Sequence, residues 1–240
     1  MQASDLKIKI FADGADLATM KEQAKNPLIS GFTTNPSLVK SAGVTDYKAY
    51  ALEVFAAIPD KPISFEVFAD DLPTMEAQAR EIATWSANVN VKIPVTNTKG
   101  ESLVPVIERL SAAGVALNIT ALYTVAQVRD ITAAVHADTP SILSVFAGRL
   151  GDTGHDPVPV MEESVAIVRA KPKAELLWAS TREVFNVIQA DRMGCHIITA
   201  PDSVISKLGG LGKDPTQNSL DTVKAFYADA TAAGFDIPVG

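Results

Sequence analysis

Along the chain, short apolar runs of period two give way to longer segments whose apolar positions recur at helical spacing. The strand-like runs fall at residues 7–13, 29–34, 63–68, 89–94, 115–120, 142–146, 175–180 and 196–199. Between them the pattern predicts helices at 16–24, 46–57, 72–86, 101–113, 124–136, 158–169 and 183–191, with a last pair at 203–208 and 219–233. Asp70 or Asp71 stands where a helix needs a capping side chain, and Gly114 and Gly194 stand where helices should stop.

Strand–helix alternation implies a parallel α/β sheet with right-handed crossovers. Eight such units favour closure into a single (β/α)8 TIM barrel spanning residues 1–240, with a C-terminal helical extension over about 209–240. An open doubly wound sheet is the alternative. It is weakened because Asp13-Gly14-Ala15, rather than a glycine-rich dinucleotide turn, follows the first strand.

Parity along the strands then sorts the side chains. Val89, Val91, Ile93 and Val95 are aliphatic and belong against the outer helices, so Asn88, Asn90 and Lys92 point into the barrel. By the same rule Asn118 and Thr120 face inward with Ala116, and Ser64 and Glu66 face inward opposite Ile63, Phe65 and Val67. Asp13 shares the face of Phe11, opposite Ile8, Ile10 and Ala12. Read singly, each of these is ordinarily a tolerated polar residue. Gathered at the same ends of several strands, they mark the mouth where barrel enzymes build their active sites.

Composition changes this picture only at its edges. Of 240 residues, 47% are hydrophobic and 20% charged, which places the chain among ordinary globular proteins. No Pro-, Ser- or Gly-rich stretch marks a linker. The net charge of −7 argues against nucleic acid and anionic membranes as partners, while leaving room for a small anionic substrate held by one or two arginines. Residues 1–16 lack an apolar signal core, and no apolar run nears the roughly 20 residues needed to span a bilayer, so the expected location is cytoplasmic. The single cysteine, Cys195, excludes an intrachain disulfide. His136, His155 and His196 are scattered and, with Cys195, form no metal-ligand spacing; neither metal nor cofactor is expected.

Lys92 carries the most information. A lysine aimed into an aliphatic barrel is partly desolvated, which disfavours its ammonium form, and a neutral amine attacks carbonyls. A buried ion pair with Glu66 or Asp13 is the other reading. For an anionic substrate terminus, Arg149 follows the sixth strand, and Ser180-Thr181-Arg182 follows the seventh at a helix start. A hydroxyl and guanidinium at a helix N-terminus suit a phosphate.

These residues resemble a known family. Phe32-Thr33-Thr34-Asn35-Pro36-Ser37-Leu38 resembles the transaldolase signature after the second strand, and Val91-Lys92-Ile93-Pro94 resembles the segment around that family's Schiff-base lysine. Leu117-Asn118-Ile119-Thr120, Ser144-Val145-Phe146-Ala147-Gly148-Arg149 and Ala179-Ser180-Thr181-Arg182 match its later strand ends in order. The length is similar to the short branch, which includes the fructose-6-phosphate aldolases. The resemblance implies that Lys92 forms the imine, that Asp13 takes the proton from the fourth-carbon hydroxyl, and that Glu66 and a water on Thr120 shuttle protons. It implies that Thr34, Asn35, Asn118, Ser144 and Phe146 line the substrate site, and that Arg149, Ser180 and Arg182 hold the phosphate.

It further implies transfer of dihydroxyacetone between sugar phosphates, in carbohydrate metabolism of the pentose phosphate type. Short-branch aldolases carry tyrosine where Phe146 stands and glutamine where Glu66 stands, so both positions favour transaldolase over aldolase. Val145 in place of a common proline, and Thr181 in place of a common aromatic, leave a sulfonate as an alternative to the phosphate. A non-catalytic sugar-phosphate binder is a further alternative, with no need of Lys92 beside two carboxylates. The last helix of the short branch packs on a neighbouring subunit, which implies a ring-type homo-oligomer, pentamer or decamer.

Overall fold

The computed structural model describes residues 2–239. Met1, which opens the segment lacking a signal core, and Gly240, which ends the expected C-terminal extension, lie outside the described residues. Eight parallel strands close a barrel in sequence order: β1 (Lys9–Asp13), β2 (Ile29–Thr33), β3 (Ile63–Glu66), β4 (Val89–Pro94), β5 (Leu117–Leu122), β6 (Ser141–Val145), β7 (Ala174–Trp178) and β8 (Ile197–Ala200). This is the TIM barrel that the alternation predicts.

The outer helices are α1 (Leu17–Ala24), α2 (Pro36–Ser41), α3 (Tyr47–Ala57), α4 (Leu72–Ile82), α5 (Val104–Ala112), α6 (Val125–Ala134), α7 (Ala147–Asp152), α8 (Pro157–Val168), α9 (Val184–Arg192), α10 (Asp202–Ile205) and α11 (Pro215–Ala232). Their starts follow side-chain chemistry. Asp16, Asp46 and Asp71 each accept from the backbone N–H three residues on, and Thr124 closes a capping box with Gln127. Asp70, the other capping candidate, instead accepts from Thr98. Gly114 and Gly194, with φ of 83° and 76°, end α5 and α9 in the left-handed region that only glycine adopts without cost.

Two apolar layers hold the barrel. Outside it, the odd β4 positions Val89, Val91 and Ile93 pack with helix residues such as Ile82, Ile107 and Leu110 in one continuous core. Inside it, Phe11, Ile142, Leu177, Ala179 and Ile197 form a separate plug. The Phe11 ring lies over Gly31, where an added Cβ would fall 2.6 Å from ring carbon. The plug occupies the middle of the barrel, so the polar inward residues above it have a floor.

Three strand ends at the mouth depart from expectation by two residues, the seventh stopping at Trp178 rather than at residue 180. The third strand ends at Glu66 rather than at residue 68. Beyond it, the N–H groups of Phe68 and Ala69 turn aside to Gln78 Oε1. The fifth runs on to Leu122 through an irregularity in its pairing with β6, where Ala121 takes φ of 61°. The short helices α2 and α7 were not anticipated, because neither is long enough to show helical periodicity.

Candidate active site

The C-terminal ends of the strands enclose a cavity of about 450 Å³. Asp13, Asn35, Glu66, Lys92, Asn118, Thr120, Ser144, Phe146, Arg149, Ser180 and Arg182 all line it. Thr34 alone among the expected residues does not. Its hydroxyl turns away to donate to the Ser64 carbonyl at 2.8 Å, and it reaches the site through its backbone.

Lys92 stands near the end of β4, only 7% exposed, with aliphatic neighbours on the strand's other face. Its Nζ donates to the Thr34 carbonyl at 2.8 Å and pairs with Glu66 Oε2 at 3.1 Å. The β3–β4 register sets Glu66 directly beside Lys92, and both side chains point inward. The lysine–glutamate pair that the sequence allowed is therefore present. An ion pair this buried is a weak source of stability, because desolvation offsets much of the attraction. It does leave a carboxylate in contact with Lys92, the one lysine among the described residues that line the cavity.

Asp13 ends β1 beside Thr33, its register partner on β2. Burial holds its carboxyl above the ordinary aspartate range, opposed by a hydrogen bond from the Thr33 hydroxyl (2.8 Å) and by the charge of Lys92. The hydroxyls of Thr33 and Thr199 are 2.5 Å apart, which fixes the rotamer that presents Thr33 to Asp13. Thr33 and Thr199 carried no role in the sequence reading. Thr33 lies inside the quoted Phe32–Leu38 motif, but the residue that it would serve, on another strand, is visible only once the register is known.

On the opposite wall, Ser144 Oγ donates to Asn118 Oδ1 at 2.6 Å, and Asn118 Nδ2 donates to Ser64 Oγ at 3.0 Å. The chain of bonds locks the Asn118 amide. Thr120 Oγ1 is buried with no hydrogen-bond partner among the described residues, next to the left-handed Ala121. An unpaired buried hydroxyl costs about 1–3 kcal/mol, and this one lines the cavity. Asn35 caps α2 through Oδ1, which accepts from Leu38 N–H at 3.0 Å. Only its Nδ2 remains to face a ligand, as a donor.

The rim beyond β6 and β7 is cationic. The sixth strand stops at Val145, so Phe146 is the residue preceding α7 rather than a strand residue. Its ring packs at 5.6 Å from that of Tyr123 and carries the Arg149 guanidinium 5.0 Å above its centre. Arg182 donates from Nε (3.1 Å) and Nη2 to the two oxygens of Asp152. That pairing holds the Asp152 carboxyl below the usual carboxylate range and leaves Nη1 of Arg182 uncommitted. Ser180, at φ of 63°, turns its carbonyl over Gly148, so that an added Cβ there would sit 1.6 Å from the oxygen. Thr181 is buried and donates to the Thr199 carbonyl at 2.7 Å, away from the rim. Asp152 and Tyr123 have no local sequence signal that ties them to the arginines.

Among known proteins, the family described as Transaldolase/Fructose-6-phosphate aldolase matches residues 10–238. A probable transaldolase of Dehalococcoides mccartyi is 36% identical over 202 residues, 84% of this chain and 90% of that protein. A probable transaldolase of Caldicellulosiruptor saccharolyticus is 36% identical over 203 residues, 84% of this chain and 89% of its own length. Among solved structures, KGPDC from Streptococcus mutans superposes with a TM-score of 0.56 at 10% identity, covering 82% of this chain and 88% of that one. A 3-hexulose-6-phosphate synthase gives a TM-score of 0.56 at 13% identity, covering 82% and 91%. Those two likenesses speak to the barrel alone. The sequence match reaches further, because it runs through Asp13, Lys92 and Arg149 and on into α11, and on that ground the chain belongs to the transaldolase/fructose-6-phosphate aldolase family.

Proposed function

We propose that the protein is a Schiff-base transaldolase that moves a dihydroxyacetone unit from a ketose phosphate, such as fructose 6-phosphate, to an aldose phosphate. The observation that carries this reading is the buried Lys92 amine, in contact with Glu66 and facing a cavity that Asp13 also lines. Glu66, 3.1 Å away, takes a proton from Lys92, and the free amine adds to the ketose carbonyl at the second carbon. The carbinolamine oxygen leaves as water, with Glu66 and a water on the unpaired Thr120 hydroxyl relaying the protons. Asp13 then accepts the proton of the fourth-carbon hydroxyl. The bond between the third and fourth carbons breaks, its electron pair moves to the imine nitrogen, and the aldose leaves. The resulting enamine adds to the aldehyde carbon of the acceptor, Asp13 returns its proton to the new hydroxyl, and water adds to the imine so that the product ketose leaves and the Lys92 amine is restored.

The polar groups fit that course. Asn35 Nδ2 would donate to one dihydroxyacetone hydroxyl and Ser144 Oγ, whose own hydrogen goes to Asn118, would accept from another, while Arg149, Ser180 and the free Nη1 of Arg182 would hold the phosphate. Transfer is favoured over release because Phe146 offers no hydroxyl to protonate the enamine. Thr181, turned inward, adds no donor to the anion rim, so its departure from the usual aromatic supports no change of anion by itself. We also propose assembly through α11, whose apolar residues find no cover on their own barrel.

The test is reduction with borohydride in the presence of fructose 6-phosphate. A dihydroxyacetone-sized adduct on the Lys92 peptide is expected, and erythrose 4-phosphate added before the borohydride should remove it. An adduct absent with every ketose of a panel, or one unaffected by Lys92→Met, would sink the reading. Rapid dihydroxyacetone release without an acceptor would identify an aldolase instead.

A further inference from the structure

At the mouth of the barrel the seam between β2 and β3 opens early. Those strands pair through Phe32 with Ile63 and Thr33 with Ser64, and the Thr34 N–H still reaches the Ser64 carbonyl at 3.3 Å, but the ladder has ended before Glu66. On its other side Glu66 is still held, because it lies opposite Lys92 in the β3–β4 register. The backbone of Glu66 therefore faces the open seam, and both of its polar groups need partners there.

Tyr47, the first residue of α3, supplies both. Its hydroxyl accepts from the Glu66 N–H at 2.8 Å and donates to the Glu66 carbonyl at 3.1 Å. One oxygen so stands in for the missing strand. The ring is fixed as well, with its centre 5.6 Å from Phe65, 4.4 Å from Phe68 and 5.9 Å from Trp85. Tyr47 does not line the catalytic cavity. Burial pushes its phenol up from the ordinary value, so the hydroxyl keeps the proton that it donates.

We propose that Tyr47 is a positioning residue for Glu66: by closing the β2–β3 seam it holds the Glu66 carboxylate in contact with Lys92 Nζ. This rests on the Schiff-base reading of Lys92. The physical reason lies in leverage. Glu66 is the last residue of β3, and a free strand end frays. A carboxylate that must sit at hydrogen-bond distance from one amine tolerates little of that motion, since proton transfer needs heavy atoms about 2.6–3.2 Å apart. The anion rim, on α7 and the loop after β7, lies across the mouth and does not depend on this seam.

Tyr47→Phe keeps the ring and removes only the oxygen. The expected result is a fall of about tenfold or more in kcat for transfer from fructose 6-phosphate, with KM and inhibition by inorganic phosphate within about twofold of the parent. The decisive arm is the same substitution in a Glu66→Gln background. If Tyr47 acts through Glu66, it costs little or nothing there. An equal fall in both backgrounds, or a change in KM alone, would overturn the proposal. A second arm needs no turnover: in a crystal structure of the Tyr47→Phe protein, Glu66 should have left Lys92. A Lys92–Glu66 pair unchanged at 3.1 Å would overturn the proposal even if the parent protein fails to process any ketose, an outcome that by itself would count only against the transaldolase reading.

Discussion

At the scale of the residue, Asp13 makes the tension between stability and chemistry measurable. Burial is the largest influence on its carboxyl and raises it above the ordinary range. An acid whose folded value is raised favours folding fully below its unfolded value and loses that contribution as pH climbs through the folded one. At neutral pH the ionised carboxylate is thus a cost to the fold. Asp13→Asn keeps an oxygen for the Thr33 hydroxyl and removes the charge. It should raise the melting temperature at pH 7–8 by about 2–4 °C per kcal/mol relieved, and by progressively less toward pH 4. A variant less stable than the parent at pH 8 would show that pairing with Lys92 outweighs burial. The same variant should still form the imine but not cleave, so borohydride should trap the whole six-carbon ketose on Lys92. The acid limb of the parent's activity should correspondingly fall off at a pH above the ordinary aspartate range.

At the scale of the element, the mouth depends on close approaches that leave no room for a side chain. The start of α7 lies against the loop after β7, with Gly148 N–H donating to the Ala179 carbonyl at 3.3 Å and the Ser180 carbonyl directly over its Cα. Backbone cannot swing aside as a side chain can. Gly148→Ala should therefore push α7 and its Arg149 off the rim, weakening competitive inhibition by inorganic phosphate about tenfold or more, while an unphosphorylated ketose reacts with Lys92 at a nearly unchanged rate. Unchanged phosphate inhibition would show that the rim does not hold the anion. Much of this scale was legible in the sequence. The odd–even alternation of Val89–Pro94 fixed which face Lys92 takes, and period alone predicted eight strands and the fold. What stayed hidden was set by contacts across strands or by elements too short for a period. Thr33 serves Asp13 through register, Tyr47 ends β3 from a helix 19 residues away in sequence, and Asp152 reaches Arg182 from a helix of six residues. Thr34 is the reverse case: its hydroxyl turns to the Ser64 carbonyl, and what it offers Lys92 is its own carbonyl, a backbone contact that residue type does not signal.

At the scale of the whole molecule, α11 is the part that its own barrel does not explain. It runs for 18 residues, about 27 Å, and none of its side chains is buried. Leu220, Val223, Phe226 and Tyr227 are exposed, the last two at 69% and 75%, and Phe235, Ile237 and Val239 continue the apolar surface beyond the helix. Helices of this kind draw most of their stability from packing an apolar face, so an uncovered one implies a partner surface. A helix that lies on the next copy rather than exchanging with it symmetrically gives a head-to-tail contact, which closes only as a ring. The mass in solution should therefore be a multiple of the 25.4 kDa protomer, and the resemblance to the short branch of the family implies a pentamer or decamer. Replacing Phe226 and Tyr227 together by glutamate should reduce it to smaller species in light scattering. Because Asp13, Glu66 and Lys92 converge on one cavity at the strand ends of a single barrel, the dissociated variant should still trap a ketose on Lys92. A parent protein that is monomeric at micromolar concentration would refute the assembly. A dissociated variant that no longer forms the imine would mean instead that the neighbouring copy helps to hold the mouth in shape.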